Sequence, residues 1–228
     1  MIEEHHLFVQ RTARLYSLGQ LTDHTRYVVI ACHGYGQLAK HFIRKFDAIT
    51  REDTLVVAPE GLSRFYWGGL SGNVVASWMT KEDRLAEIAD FTGYMTQVYE
   101  RFTANLHRDA RIILFGFSQG CATQLRWIAS ALPAFSELVL WAGSIPEDIN
   151  YSPVQQYLKD KPLHFVYGDK DPFITPERVA QQKRLAQQLA MNYQVHHFRG
   201  KHTVEREALK AVFGLIRQGK KTNPPDGS

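Results

Sequence analysis

Cysteine is scarce in this chain: 228 residues carry only Cys32 and Cys121. That excludes a disulfide-stapled framework and a paired-cysteine zinc site. Both thiols read as small core residues in a reducing compartment. Long apolar runs are also missing. No stretch approaches the ~18 residues of a membrane span, so stable membrane insertion is not expected. The start, Met1-Ile2-Glu3-Glu4-His5-His6, lacks the basic opening and apolar run of a secretory signal. A cytoplasmic location is therefore the expectation. Charge of one sign is not concentrated anywhere. Lys and Arg total 27 against 23 Asp and Glu, a net charge of +4. The basic residues are dispersed, with Lys220-Lys221 the densest spot, so nucleic acid is not an expected partner. No G-x-G-x-x-G follows a strand-like run, and there is no HExxH. His196, His197 and His202 lack a ligand spacing. The stretch Gly214 to Lys221 resembles a P-loop only superficially. Lys221 stands where Ser or Thr must bind Mg²⁺, and a helix precedes it where a strand should. Neither a cofactor nor a metal is expected.

Hydrophobic residues make up 44% of the chain, enough for one sizeable core at this length. Residues 1–219 are expected to form one domain. The polar, proline-containing segment 220–228 reads as a disordered tail. Short apolar runs at 26–32, 54–58, 111–115, 137–141 and 163–167 read as strands buried on both faces. Gln194–Phe198 reads as a more polar strand, and Leu7–Tyr16 as an antiparallel edge. Helical periodicity lies between them. Leu38, Phe42, Phe46 and Ile49 form one stripe. A capping box at Thr80 to Asp83 opens a long helix to about Phe102. Further helices are expected over Gln119–Leu132, after Thr175-Pro176-Glu177, and over Thr203–Arg217. Strands alternating with helices predict an α/β fold, a mostly parallel doubly wound sheet with helices on both faces. Functional loops then gather at the carboxyl ends of the strands.

The most informative motif is Gly116-Phe117-Ser118-Gln119-Gly120, with an apolar strand before it and a helix after. This is the context of a nucleophile elbow, a sharp turn that lifts a serine Oγ into the open. The flanking glycines are expected because a Cβ at either would crowd the turn. A serine hydroxyl needs a base, and the base needs an orienting acid. Gly168-Asp169-Lys170-Asp171-Pro172 supplies two acids after a strand. Asp171 is the candidate, since Asp169 is better suited to bonding its own loop's amides. His202, in Arg199-Gly200-Lys201-His202, is the candidate base after the last strand. His196 and His197 are adjacent on a strand and point to opposite faces. An oxyanion needs two N–H donors. Gln119, after the serine, offers one. Tyr35, in the loop His33-Gly34-Tyr35-Gly36-Gln37, offers the other. His33 reads as a brace for that loop.

The combination HGYGQ, GFSQG, GDKDP and GKH resembles the α/β-hydrolase superfamily. Within it, the chain resembles the phospholipase/carboxylesterase and acyl-protein-thioesterase family, over residues 26–217. The resemblance implies an α/β-hydrolase fold with little or no cap domain. It implies hydrolysis of carboxylic or thiol esters without a cofactor, on a small-molecule or lipid ester. It assigns Ser118, Asp171 and His202 to a triad, and Tyr35 and Gln119 to the oxyanion hole. The chain departs from the family's frequent HGLGD at Tyr35 and Gln37, and in the loop from Glu60 to Leu70.

That loop is dense in aromatic residues. Phe65, Tyr66 and Trp67 are the candidate wall of a substrate pocket, while Trp78 reads as packed. The alternative for all of them is ordinary core at the sheet's edge. A serine esterase is the leading functional expectation. A non-catalytic binding protein on a hydrolase scaffold is the alternative from another class. A dienelactone-hydrolase-like activity is the near alternative among enzymes, disfavoured because its usual nucleophile is Cys where this chain has Ser118.

Overall fold

A computed structural model describes residues 1–219. The expected tail, 220–228, lies outside the described residues. In chain order the elements are β1 (Leu15–Leu18), β2 (Tyr27–Cys32), a short α1 (Ala39–Phe42) continued by a 3-10 turn (Ile43–Ala48), β3 (Thr54–Pro59), β4 (Ser63–Trp67) and β5 (Asn73–Ser77). There follow α2 (Arg84–Thr103), β6 (Arg111–Phe117), α3 (Gln119–Ala131), β7 (Glu137–Trp141), a short α4 (Gln155–Leu158), β8 (Pro162–Gly168), α5 (Pro176–Gln188), β9 (Asn192–Phe198) and α6 (Arg206–Gln218).

The seven-stranded main sheet has the order β1-β3-β2-β6-β7-β8-β9. Only β1 is antiparallel, and the other neighbours run parallel. The apolar runs cover both faces because successive side chains alternate. Val28, Ile30, Leu114, Leu138 and Leu140 face α2, α3 and α5. Val29, Ala31, Ile113, Phe115 and Val139 face α1, its 3-10 continuation and α6. The stripe Leu209, Val212, Phe213 and Ile216 is fully inside, each side chain contributing about 1.5–3 kcal/mol by leaving water. Among the described residues, no helix is long and apolar enough to cross a membrane.

Strand order reverses between β2 and β6. Chain moving outward from β2 builds one half of the sheet, and chain from β6 builds the other. Loops leaving the carboxyl ends of these two neighbours therefore part and leave a crevice, where open α/β sheets bind ligands.

Several local expectations need correction. The edge strand is only Leu15–Leu18, since β3 offers it just the stretch Val56–Pro59, while Leu7, Phe8 and Val9 are exposed. Thr80 does not cap α2. The helix starts at Arg84 after Asp83 in the left-handed region (φ 44°), and Glu87 reaches back to the Thr80 amide (2.6 Å) instead. The last helix starts at Arg206, because the Glu205 side chain takes the Ala208 N–H (2.7 Å) as its cap. Thr175 caps α5 as expected. The aromatic segment is not an open loop. It folds into the antiparallel hairpin β4–β5.

Candidate active site

Ser118 sits between β6 and α3 at φ 53°, ψ −115°. This is a strained conformation for a residue with a Cβ, and such strain persists only where the surroundings over-determine it. Here the Ser118 N–H donates to the Trp141 carbonyl of β7 (2.9 Å), and the Ser118 carbonyl accepts from Cys121 N–H (3.0 Å). A Cβ on Gly116 would collide with the Gly120 carbonyl, and one on Gly120 with the Cys32 carbonyl at the end of β2. The second glycine thus does more than relax the turn. It lets α3 start hard against the neighbouring strand, which brings the loop after β2 alongside the serine.

The two acidic residues after β8 divide their work. Asp171 is buried, and its Oδ2 accepts from His202 Nδ1 (2.8 Å). Its Oδ1 accepts the Phe173 N–H (2.9 Å). Both carboxylate oxygens are therefore fixed, and the imidazole is held as the tautomer or cation with a proton on Nδ1. Asp169 does not bond its own loop. Its Oδ1 accepts the Gly200 N–H (2.8 Å), while Lys170 N–H donates to the Gly200 carbonyl (2.8 Å). Gly200 is gripped from both sides, and the loop after β9 is pinned to the loop after β8, two residues before His202. The His202 ring rests between Phe117 (centroids 5.0 Å) and Phe173 (4.9 Å). It therefore stands over the residue preceding the serine. No hydrogen bond joins Ser118 Oγ to His202 among the described residues, and such bonds commonly tighten only with substrate present.

His33 is a brace, as its position in the loop predicts. It is wholly buried, and its Nε2 accepts the Gly61 N–H (2.9 Å). Its Nδ1 must then carry the proton that meets the Gly34 carbonyl (2.8 Å). Burial pushes its pKa down to about 4, so the ring is neutral at ordinary pH. Gln37 closes the same loop by accepting the Gly34 N–H on its side chain (3.0 Å). Gly36 and Gln37 bond the backbone of Ala76 in β5 (3.0 and 3.1 Å). The Tyr35 N–H makes no hydrogen bond among the described residues. The Gln119 N–H is the first of a helix, one of the donors with no partner inside it.

The Gln119 side chain has a task that the sequence reading missed. Its Nε2 donates to the Met79 carbonyl (2.7 Å), and its Oε1 accepts the Trp78 N–H (3.1 Å). It ties the chain just beyond β5 to the serine-bearing helix. Trp78 is buried and donates to the His33 carbonyl (2.9 Å). The hairpin is thus docked on both sides of the crevice. A Gly-rich connection, Gly68-Gly69-Leu70-Ser71-Gly72, between two β-rich runs was the signal that could have revealed it.

On the hairpin, Phe65 and Trp67 share a face and gather with Tyr35, at ring separations of 5.5 Å (Phe65–Tyr35), 5.7 Å (Trp67–Tyr35) and 6.1 Å (Phe65–Trp67). Tyr66 is one residue out of phase, so it points to the opposite face and stays outside this cluster. Cys32 and Cys121 are free and buried, and burial pushes both thiols well up. Neither offers a thiolate near neutral pH. His196 belongs to a separate chain of bonds, half-buried itself, with buried His164 (3.0 Å) and through it Glu137 (3.1 Å).

No curated protein matches the sequence. Solved structures do match the fold. Esterase PE8 superposes with a TM-score of 0.67 at 19% identity, over 91% of this chain and 99% of that one. Acyl-protein thioesterase 2 of Zea mays gives 0.68 at 14%, over 91% and 99%. The Bacillus cereus carboxylesterase gives 0.63 at 15%, over 90% and 94%. At such identities the likeness is one of fold, the α/β-hydrolase fold. The family model described as Phospholipase/Carboxylesterase matches residues 20–218. Nearly the whole chain is matched, from before β2 to the end of α6, and the chain belongs to the phospholipase/carboxylesterase family of hydrolases.

Proposed function

We propose that this protein is a serine esterase that cleaves carboxylic esters through an acyl-enzyme on Ser118. The observation that carries the reading is the Asp171–His202 bond, made by a buried carboxylate beside the strained Ser118 turn. In the proposed reaction His202 Nε2 takes the Ser118 Oγ proton as Oγ attacks the ester carbonyl carbon. Asp171 keeps the ring oriented and stabilises the imidazolium. The carbonyl electron pair moves onto oxygen, where the Tyr35 and Gln119 N–H groups receive it. Collapse breaks the bond to the alcohol oxygen, which leaves with the proton from His202. Water then repeats the attack on the acyl-enzyme, with His202 as base, and releases the acid. A thioester would follow the same course, the sulfur leaving as a thiol with the proton from His202. Phe65, Trp67 and Tyr35 form the aromatic surface against which the substrate's apolar part packs.

The test is p-nitrophenyl ester hydrolysis from acetate to palmitate, beside fluorophosphonate labelling, for wild type and Ser118→Ala. Wild type is expected to turn over and to label, and the variant to do neither while keeping its circular dichroism spectrum. Equal turnover in the variant refutes the assignment of Ser118.

A further inference from the structure

A groove of about 570 Å³ lies between the HGYGQ loop, α1 and the β5 hairpin strand. Leu38, Phe42, Val74 and Val75 make its walls apolar, Gln37 and Asn73 add amides, and His41 and Lys45 bring the basic groups. The same two side chains also line a second depression with Arg44 and Val204. Both depressions meet chain that flanks the candidate site. The larger is lined by Gly36, next to Tyr35. Lys45, shared by both, donates through Nζ to Thr203 Oγ1 (3.5 Å), next to His202.

The charge around Lys45 is unbalanced. No carboxylate lines the larger groove. In the smaller one Asp47 is already taken by Arg206 (2.5 Å). Glu60 reaches the first turn of α1 through the Ala39 N–H (3.2 Å), but its other oxygen is held by Arg14 (2.6 Å). Lys45 is half-buried and has no acidic partner among the described residues. A half-buried lysine beside an apolar groove, with no acidic partner among the described residues, is matched by an anion that arrives with the ligand.

Resting on the esterase reading, we propose that the substrate is an ester with an apolar body and an anionic end, a carboxylate or a phosphate. Lys45 receives that end, with His41 beside it. Lys45 is thus a specificity-determining residue, and an ammonium serves this purpose as a point charge on either anion.

The experiment compares kcat/KM within matched pairs. The carboxylate pair is mono-p-nitrophenyl adipate against p-nitrophenyl hexanoate. The phosphate pair is 1-butyrylglycerol 3-phosphate against 1-butyrylglycerol. Wild type is expected to favour the anionic member of at least one pair. Lys45→Met should lower that preference about tenfold, a magnitude between an exposed and a desolvated charge contact. Lys45→Arg should retain it, and added salt should weaken it in wild type. The pair that responds identifies the anion. An unchanged preference in Lys45→Met for both pairs, with neutral esters still hydrolysed by wild type, overturns the anion site alone. Failure of wild type on all four esters overturns the esterase reading and the anion site with it.

Discussion

Acid should weaken this fold through His33, by an amount the structure lets one work out. Nε2 of the buried ring is committed as the acceptor of the Gly61 N–H, so protonating it breaks that bond and leaves a charge without water. The folded-state pKa is pushed down from 6.5 to about 4. In the unfolded chain the ring titrates normally. Between these values the unfolded state binds the proton and the folded state does not, so stability falls as pH falls from above 6.5 toward 4. The two values lie about 2.5 pH units apart at about 1.4 kcal/mol each, so the limit is about 3 kcal/mol. At pH 5 about 2 kcal/mol of it is already lost. The control is His33→Gln, whose amide oxygen can take over the Gly61 N–H but does not titrate in this range. Urea unfolding of both proteins at pH 8 and pH 5 is the assay. Wild type should lose about 2 kcal/mol more than the variant between the two pH values. Every other titrating group, His196 included, contributes to both and cancels. Equal losses in the two proteins would show that His33 is not held neutral by its burial.

Asp171→Asn should lower kcat about 10⁴-fold with the fold intact, since an amide can still serve the Phe173 N–H but no longer selects the Nδ1-protonated ring; a loss under tenfold in steady-state assays contradicts that role. Gly120→Ala should destabilise by about 3 kcal/mol or leave the protein insoluble, because its Cβ meets the Cys32 carbonyl at the strand end, where nothing flexible can yield. Thermal unfolding within a degree of wild type would refute that. Trp67→Ala should raise KM for p-nitrophenyl hexanoate several-fold at nearly constant kcat, the signature of lost uniform binding; an unchanged KM removes the aromatic wall from the substrate site.

The division between what the chain displays locally and what it hides is visible in particular residues. The buried parallel strands were legible, because a strand covered on both faces is apolar in a near-continuous run, as over 28–32 and 55–58. The α6 stripe was legible for the same reason at helical period. The strand expected over Leu7–Tyr16 begins only at Leu15 and runs on to Leu18, because its partner β3 ends at Pro59, opposite Leu15. The β4–β5 hairpin was concealed by its aromatic residues, which suggest a pocket loop but fit a pleated strand as well.

The candidate site shows the same split. Ser118 between two glycines, two acids after one strand and a histidine after the last are local patterns, since tight turns and strand ends constrain residue type within a few positions. The sequence alone therefore determined the candidate residues, the parallel α/β architecture and the order of the three groups along the chain. It favoured Asp171 over Asp169 as the acid, but it did not determine the contacts that divide the two. Asp169 and Asp171 differ by two positions, yet one grips Gly200 and the other receives the imidazole. Nor did it reveal that Gln119 anchors the segment beyond the hairpin, or that Lys45 lies beside Thr203. These are contacts between segments far apart in sequence. They depend on where β2 and β6 become neighbours and on which loops then meet at their carboxyl ends, and only the tertiary structure decides that.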